Sequence, residues 1–272
     1  MKEITLSQQK QMMLEMLMDF HHFCEEHDLR YYLTGGTLLG AVRHKGYIPW
    51  DDDIDVGMPR KDYEEFCRIY NSEKSNPDYY LYTIHNEPEL YVSSGKLVNT
   101  KTVMEEAVDS PVKLGVYLDV FPLDTLGRNE EEAKKLTADA LSIRKQLDVQ
   151  NWKLIRERAW YKNVVIFAIK ALSPRNKRKK LIAQQDRLCR SYQDIDLGAW
   201  VGYPCAAMKI ELLKGDWFRE RILQPFENAA FYIPKEYEQV LNVFYGPDWK
   251  KLPPLEKQKT HHAYRVWYKE GI

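Results

Sequence analysis

Cysteine is scarce in this 272-residue chain: Cys24, Cys67, Cys189 and Cys205 are scattered, with no C-x-x-C spacing. This excludes a disulfide-stapled small domain and a cysteine-based zinc motif, and it fits reduced thiols in a cytoplasmic protein. Net charge is also missing, since 40 Lys and Arg balance 40 Asp and Glu. Composition therefore leaves no electrostatic footprint for a nucleic acid partner. No run approaches the ~18–20 consecutive apolar residues of a spanning helix, and the opening MKEITLSQQKQMMLEML lacks the apolar core of a secretory signal. The expected location is cytoplasmic. No early dinucleotide-type βαβ unit is visible either. With 44% hydrophobic and 29% charged residues the chain is globular, long enough for one large domain or for a core carrying an insertion.

Against this plain background one stretch stands out, Leu33 to Met58, LTGGTLLGAVRHKGYIPWDDDIDVGM. A hydrophobic lead-in (Tyr31, Tyr32, Leu33) runs into Thr34-Gly35-Gly36-Thr37, and Leu38, Leu39, Ala41 and Val42 continue with helical character. The expectation is strand, glycine turn, helix. Gly35 and Gly36 can take positive φ and admit a phosphate close to the backbone, while the following helix offers free N–H groups and the positive end of its dipole. After the Gly46–Pro49 turn come Asp51, Asp52, Asp53 and Asp55, interleaved with Ile54 and Val56. If Asp53 to Val56 is a strand, alternation puts Asp53 and Asp55 on one face with Cα atoms roughly 6.5–7 Å apart. That suits two carboxylates gripping a hard cation. Aspartate is a poor strand former and adjacent carboxylates repel, so a divalent cation explains the run better than an N-capping turn, which needs a single aspartate.

The order Gly35-Gly36, then Asp53-Ile54-Asp55-Val56 resembles the nucleotidyltransferase superfamily pattern. The run LLGAVRHKGYIPWDDDID resembles the signature of the LicD family of phosphocholine transferases, shared more distantly by fukutin-type sugar-phosphate transferases. The resemblance covers residues 30–125 and 215–262 well and the middle poorly, which leaves acceptor recognition open. It implies Mg²⁺ or Mn²⁺ held by Asp53, Asp55 and a third carboxylate. It also implies a CDP-choline or related CDP-alcohol donor and a glycan acceptor, with a lipid-linked one as an option.

The flanks supply the support. Thr5 and Gln8 form a capping-box pattern opening a helix over residues 5–27, with Leu6, Met13, Leu17, Phe20 and Cys24 at helical spacing; His21, His22 and His27 near its end suit the dipole or solvent. Arg43, His44 and Lys45 lie between the glycines and the aspartates, and Arg43, with its planar fork, is the best phosphate ligand among them. Tyr47 and Trp50 either pack beneath the loop or offer an aromatic face to a quaternary ammonium. A helix is predicted from Pro59 to Tyr70, with strands over Tyr79–Ile84 and Leu90–Asn99. Lys96 sits in the last of these, either facing solvent or meeting a donor phosphate, as the basic residue of the equivalent LicD stretch suggests.

In GVYLDVFPLDTL, Asp119 is a lone charge among strand formers, to be buried only if paired or bound to metal. The resemblance makes it the third carboxylate, a cation ligand or the base for the attacking hydroxyl. Asp124 suits a turn or cap. From Asn129 to about Trp200 the pattern is helical with no second acidic cluster or glycine loop. Within it, Ala159–Leu172 is unusually apolar and is followed by Arg175, Lys177, Arg178, Lys179 and Lys180. Core packing is the simpler expectation for this helix; peripheral contact of residues 159–180 with the inner membrane surface is the other. Phe226–Ile233 reads as a strand and Pro234–Phe244 as a helix ended by Tyr245-Gly246-Pro247. By resemblance alone, His261 or His262 reaches the substrate.

The combined expectation is an α+β fold with a nucleotidyltransferase-like core, a small mixed β-sheet and a helical insertion. Residues 1–128 form the catalytic core, 129–200 the helical lobe, and 201–272 complete the catalytic domain. Asp53, Asp55 and Asp119 are the expected catalytic and metal-binding residues; Gly35, Gly36, Thr37, Arg43, Lys96, His261 and His262 are expected at the substrate. The function implied is transfer of phosphocholine or a related phospho-alcohol to a sugar hydroxyl. A metal-dependent glycosyltransferase and a catalytically silent binding module of the same fold are the competing readings.

Overall fold

A computed structural model describes residues 2–106, 108–154, 159–174, 176–192, 199–260 and 265–269. After the short β1 (Glu3–Ile4), the long α1 (Leu6–Glu26) opens on the predicted capping box, Thr5 accepting from the Gln8 amide. Met13, Leu17, Phe20 and Cys24 are buried as the periodicity requires, whereas Leu6 at the first turn is exposed. The chain then enters β2 (Tyr32–Leu33), α2 (Gly35–Arg43), β3 (Asp55–Pro59) and α3 (Arg60–Glu73). Next come β4 (Tyr79–Tyr82), β5 (Gly95–Asn99), β6 (Thr102–Glu105) and β7 (Tyr117–Gly127).

Three helices follow: α4 (Glu130–Asn151), α5 (Trp160–Leu172) and α6 (Lys177–Cys189). The Asn129 side chain caps α4 by accepting from the Glu132 amide, and Glu130, Glu131 and Glu132 sit at the positive end of its dipole. The chain closes with β8 (Trp200–Gly202), β9 (Leu213–Lys214), β10 (Arg221–Phe226), β11 (Ala229–Pro234), α7 (Tyr237–Tyr245) and β12 (Arg265–Tyr268).

The fold is α+β. Among the described residues a seven-stranded mixed sheet runs β2-β3-β7-β5-β4, with β8 and β9 continuing from the far half of β7. Within it β3 and β7 are parallel and the other pairings antiparallel. β10 and β11 form a separate hairpin, and β1, β12 and β6 a small third sheet. One large core joins the inner face of α1 to Val56, Met58, Leu97, Leu118 and Val120 of the central strands.

Several expectations need correction. Gly35 and Gly36 are the first turn of α2 itself, not a turn before it. β3 begins only at Asp55: the Asp51 amide closes a turn on Ile48 O, and residues 51–54 run on from it in irregular backbone. Asp53 therefore lies on the approach to the strand, outside its alternation. Of Leu90–Asn99 only Gly95–Asn99 is strand. Leu90 and Tyr91 instead leave the sheet to pack on Val98 and Leu114. Phe226–Ile233 is not one strand but spans the turn of a hairpin, with Glu227 at φ +54°.

Asp124 makes no turn or cap. It lies inside β7, fully buried, and accepts two hydrogen bonds from the Arg60 guanidinium at 2.6 and 2.8 Å. Burial pushes its carboxyl up to about 6 and the guanidinium keeps it from rising further, so the pair is ionised at neutral pH. Finally, α5 is not core: Ile166 is its one buried residue.

Candidate active site

The parallel register of β3 and β7 sets Asp55 directly beside Asp119, and the antiparallel register of β7 and β5 sets Asp119 beside Lys96. Three charged residues thus form one row across the sheet, at the inter-strand spacing of roughly 4.8 Å. The Asp119 amide donates to Ile54 O, and the Asp55 amide donates to the Thr37 hydroxyl at 2.9 Å, so both aspartates are fixed through their backbones. Thr37 works here from below, tying α2 to the start of β3.

Lys96 does not face solvent. It is buried, its ammonium lies 2.8 Å from Asp119 Oδ1, and it stands 3.5 Å from the centroid of the Tyr117 ring. The Tyr91 and Tyr117 hydroxyls both donate to Glu106, which orients the rings around the lysine. Asp55 meets the opposite fate. Burial, and after it the charges of Asp53, Asp119 and Asp51, raise its carboxyl well above the usual range, with Lys96 opposing. Negative charge is over-concentrated at this point of the fold, and a cation or a proton must relieve it.

The glycines explain how the carboxylates approach α2. Gly35 has φ +53°, and a Cβ there would lie 2.8 Å from Asp55 Oδ2; a Cβ at Gly36 would lie 2.4 Å from Asp51 Oδ2. Any side chain at either position would displace an aspartate. The first amides of α2 have no helical acceptor and Thr34 makes no side-chain cap, so the helix turns its positive end toward the same carboxylates.

Two cavities meet here. One, of about 520 Å³, is lined by Gly35, Asp55, Lys96, Asp119 and the aromatic rings of Tyr91, Tyr117 and Tyr203. The other, of about 620 Å³, is lined by Arg43, Trp50, Trp249, Lys251 and Lys257. Gly36, Asp53, Asp55 and Tyr245 belong to both walls. The structure therefore brings together Gly35, Gly36, Asp53, Asp55, Lys96 and Asp119. Arg43 stands in the second cavity, where its guanidinium donates to the carbonyls of Trp249 and Lys251. Trp50 borders that cavity, while Tyr47 packs on Phe226 and donates to Lys10 O. His261 and His262 lie outside the described residues.

Sequence reasoning missed Arg144, Tyr203, Tyr245 and Trp249. Arg144 comes from α4, so the helical stretch reaches the first cavity. Tyr203 lies on Gly57, where a Cβ would come within 2.2 Å of its hydroxyl. A glycine between Val56 and Met58 in a buried strand was the available signal, since such a residue marks a close neighbour.

Among the described residues no three His, Cys, Asp or Glu side chains converge on one point as a ready-made metal cage. The donor set nonetheless suits Mg²⁺, which keeps several waters and binds through one or two carboxylates plus substrate phosphates rather than in an all-protein cage. Asp55, short of a counter-charge, with Asp53 beside it, provides those carboxylates.

Residues 28–124 match the family described as LicD/FKTN/FKRP, nucleotidyltransferase domain. The lipopolysaccharide cholinephosphotransferase LicD of Haemophilus influenzae is 30% identical over 98% of this chain and 99% of its own length. The human ribitol 5-phosphate transferase FKRP is 56% identical over a short segment, 12% of this chain and 7% of its own.

Proposed function

The chain belongs to the LicD family, and from that premise we propose that it is a metal-dependent phosphotransferase moving phosphocholine, or a related phospho-alcohol, from a CDP-linked donor to a sugar hydroxyl of a cell-surface glycan precursor. The observation that carries this is the row Asp55, Asp119, Lys96, set where two cavities share a wall of carboxylates beside the opening turn of α2. The near full-length relative is a cholinephosphotransferase, whereas the ribitol phosphate relative matches only a short segment. That difference favours phosphocholine as the group transferred.

In this reading the core is a nucleotidyltransferase-like one. The donor straddles the carboxylate wall. Its nucleotide half lies in the second cavity, where Trp50 and Trp249 suit a cytosine ring and Arg43, Lys251 and Lys257 suit pyrophosphate charge. Its phosphorus sits at Asp53 and Asp55, within reach of the free amides of α2. Those two carboxylates would hold Mg²⁺ or Mn²⁺, whose chemistry is to neutralise charge on the pyrophosphate. The acceptor hydroxyl enters the first cavity, Asp119 takes its proton, and the hydroxyl oxygen attacks the phosphorus bearing the alcohol as CMP leaves on the other side. Lys96, paired with Asp119 Oδ1, keeps that carboxylate aimed. Attack and departure from opposite sides meet the in-line requirement of phosphoryl transfer, which asks for positioning and charge stabilisation more than covalent chemistry.

Calorimetric titration tests the donor site. CDP-choline is expected to bind with Mg²⁺ and to lose most of its affinity with chelator, while UDP- and GDP-sugars bind weakly. Trp249→Ala should weaken CDP-choline by about tenfold, the loss of one base-stacking partner. Binding of a nucleotide sugar in preference to CDP-choline would move the assignment to glycosyl transfer.

A further inference from the structure

The helix that the core leaves uncovered has a chemistry of its own. α5 carries no acidic residue, and its side chains are apolar around nearly its whole circumference. Trp160 is 77% exposed, Phe167 60% and Leu172 87%, with Val164 and Val165 exposed beside them. Only Ile166 packs inward, as α5 leans on α4. Water is a poor surrounding for so much contiguous apolar surface.

The charge around it is as unusual. From Trp152 to Lys180 the sequence holds ten lysines and arginines and one acid, Glu157, in a chain whose total charge is zero. Among the described residues, acids from elsewhere in the fold meet some of these cations, Asp109 beside Lys170 and Glu89 beside Arg178 and Lys179. They offset only part of the excess. A second copy of the chain would bring the same positive charge to the contact, so self-association through this face works against electrostatics. The complementary surface must be apolar within and negative at its boundary.

We propose that α5 and the start of α6 form a membrane-docking element that seats on an anionic lipid surface. Thirteen residues of helix span about 20 Å, short of the ~30 Å hydrocarbon core, and no described helix is long and apolar enough to cross a membrane. The helix lies in the interface instead. Val164, Val165, Phe167 and Leu172 enter the acyl boundary, Trp160 and Tyr161 sit at headgroup depth, and Lys162, Lys177 and Lys180 meet lipid phosphates. The inference stands on α5 and the start of α6 and goes beyond the transferase reading; if both hold, the docked enzyme meets its acceptor at the lipid surface.

Flotation of the full chain with vesicles tests it. Binding is expected to vesicles containing phosphatidylglycerol and to fall as salt is raised, with little binding to phosphatidylcholine alone. V164E/F167E should lower the partition coefficient on the order of tenfold or more, and K177E/K180E by a similar factor. CDP-choline affinity should be unchanged in both, which keeps this test separate from that of the donor site. Vesicle binding that ignores lipid charge, or that both variants retain, would overturn the proposal. So would sedimentation showing that V164E/F167E converts a dimer to a monomer while leaving vesicle binding intact.

Discussion

Asp55→Asn should lower the rate of phospho-alcohol transfer by about a thousandfold or more while leaving the protein folded and at least as stable. The two halves of this expectation have one cause. Asp55 is half-buried at the base of the site, and desolvation together with Asp53, Asp119 and Asp51 lifts its carboxyl well above the usual range. A carboxyl raised by folding adds stability while it is protonated and loses that contribution as pH rises through its folded-state value. Ionisation of this carboxyl in the free protein therefore burdens the fold, and the isosteric amide removes the burden. The same ionised form is what grips a cation, so activity and stability pull against one another at this residue. Thermal melts beside a CMP-release assay read both. A variant that melts no lower than the parent and still transfers at the parental rate would remove Asp55 from the chemistry. This carboxyl should make the parent melt higher toward acid pH, and Asp55→Asn should flatten that rise.

Arg60→Ala should be the most destabilising single substitution outside the apolar core, costing about 3–5 kcal/mol because it leaves a buried carboxylate without its partner. For a domain of this size that lowers the melting temperature on the order of 10 °C. The Arg60 side chain follows immediately after β3 and grips Asp124 on β7, adjoining the Pro59–Leu123 register that ends the strand pairing. This pair locks the far end of the same two strands that carry Asp55 and Asp119. Replacing both members, as in R60L/D124L, should recover much of the loss, since two apolar groups of similar shape leave no stranded charge. Chemical denaturation of the two single variants and the double variant measures the coupling.

The sequence was legible where chemistry and periodicity coincide. Thr5 and Gln8 announced the first helix, Asn129 the fourth, and Asp119 stood out as a charge among strand formers. The α+β class followed from the mixture of such signals. Legibility failed where the answer depended on partners far away in the chain. Asp124 read as a turn residue because Arg60, which makes its burial tolerable, is remote in sequence and gives no local sign. Lys96 left two readings open because its surroundings, Tyr117 and Asp119, come from another strand. α5 looked like core because hydrophobicity alone cannot say whether a neighbouring element will cover it. Trp249 had no local mark at all, and Gly57 signalled a close neighbour without saying that it is Tyr203, since a cavity wall is assembled from segments the sequence keeps apart.

The parallel pairing of β3 with β7 has a consequence for how the protein comes to exist. Asp55 and Asp119 are separated by about 60 residues, and parallel neighbours cannot be joined by a tight hairpin; the chain must complete α3, β4, β5 and β6 before β7 arrives. Closing so long a loop is entropically unfavourable until the intervening elements have packed, so the pairing belongs to the late stages of folding. A nascent or partly folded chain then carries its acidic run without the second carboxylate, and the complete constellation appears only once the fold is essentially finished. Refolding followed by metal-dependent CDP-choline binding should accordingly lag behind the burial of α1.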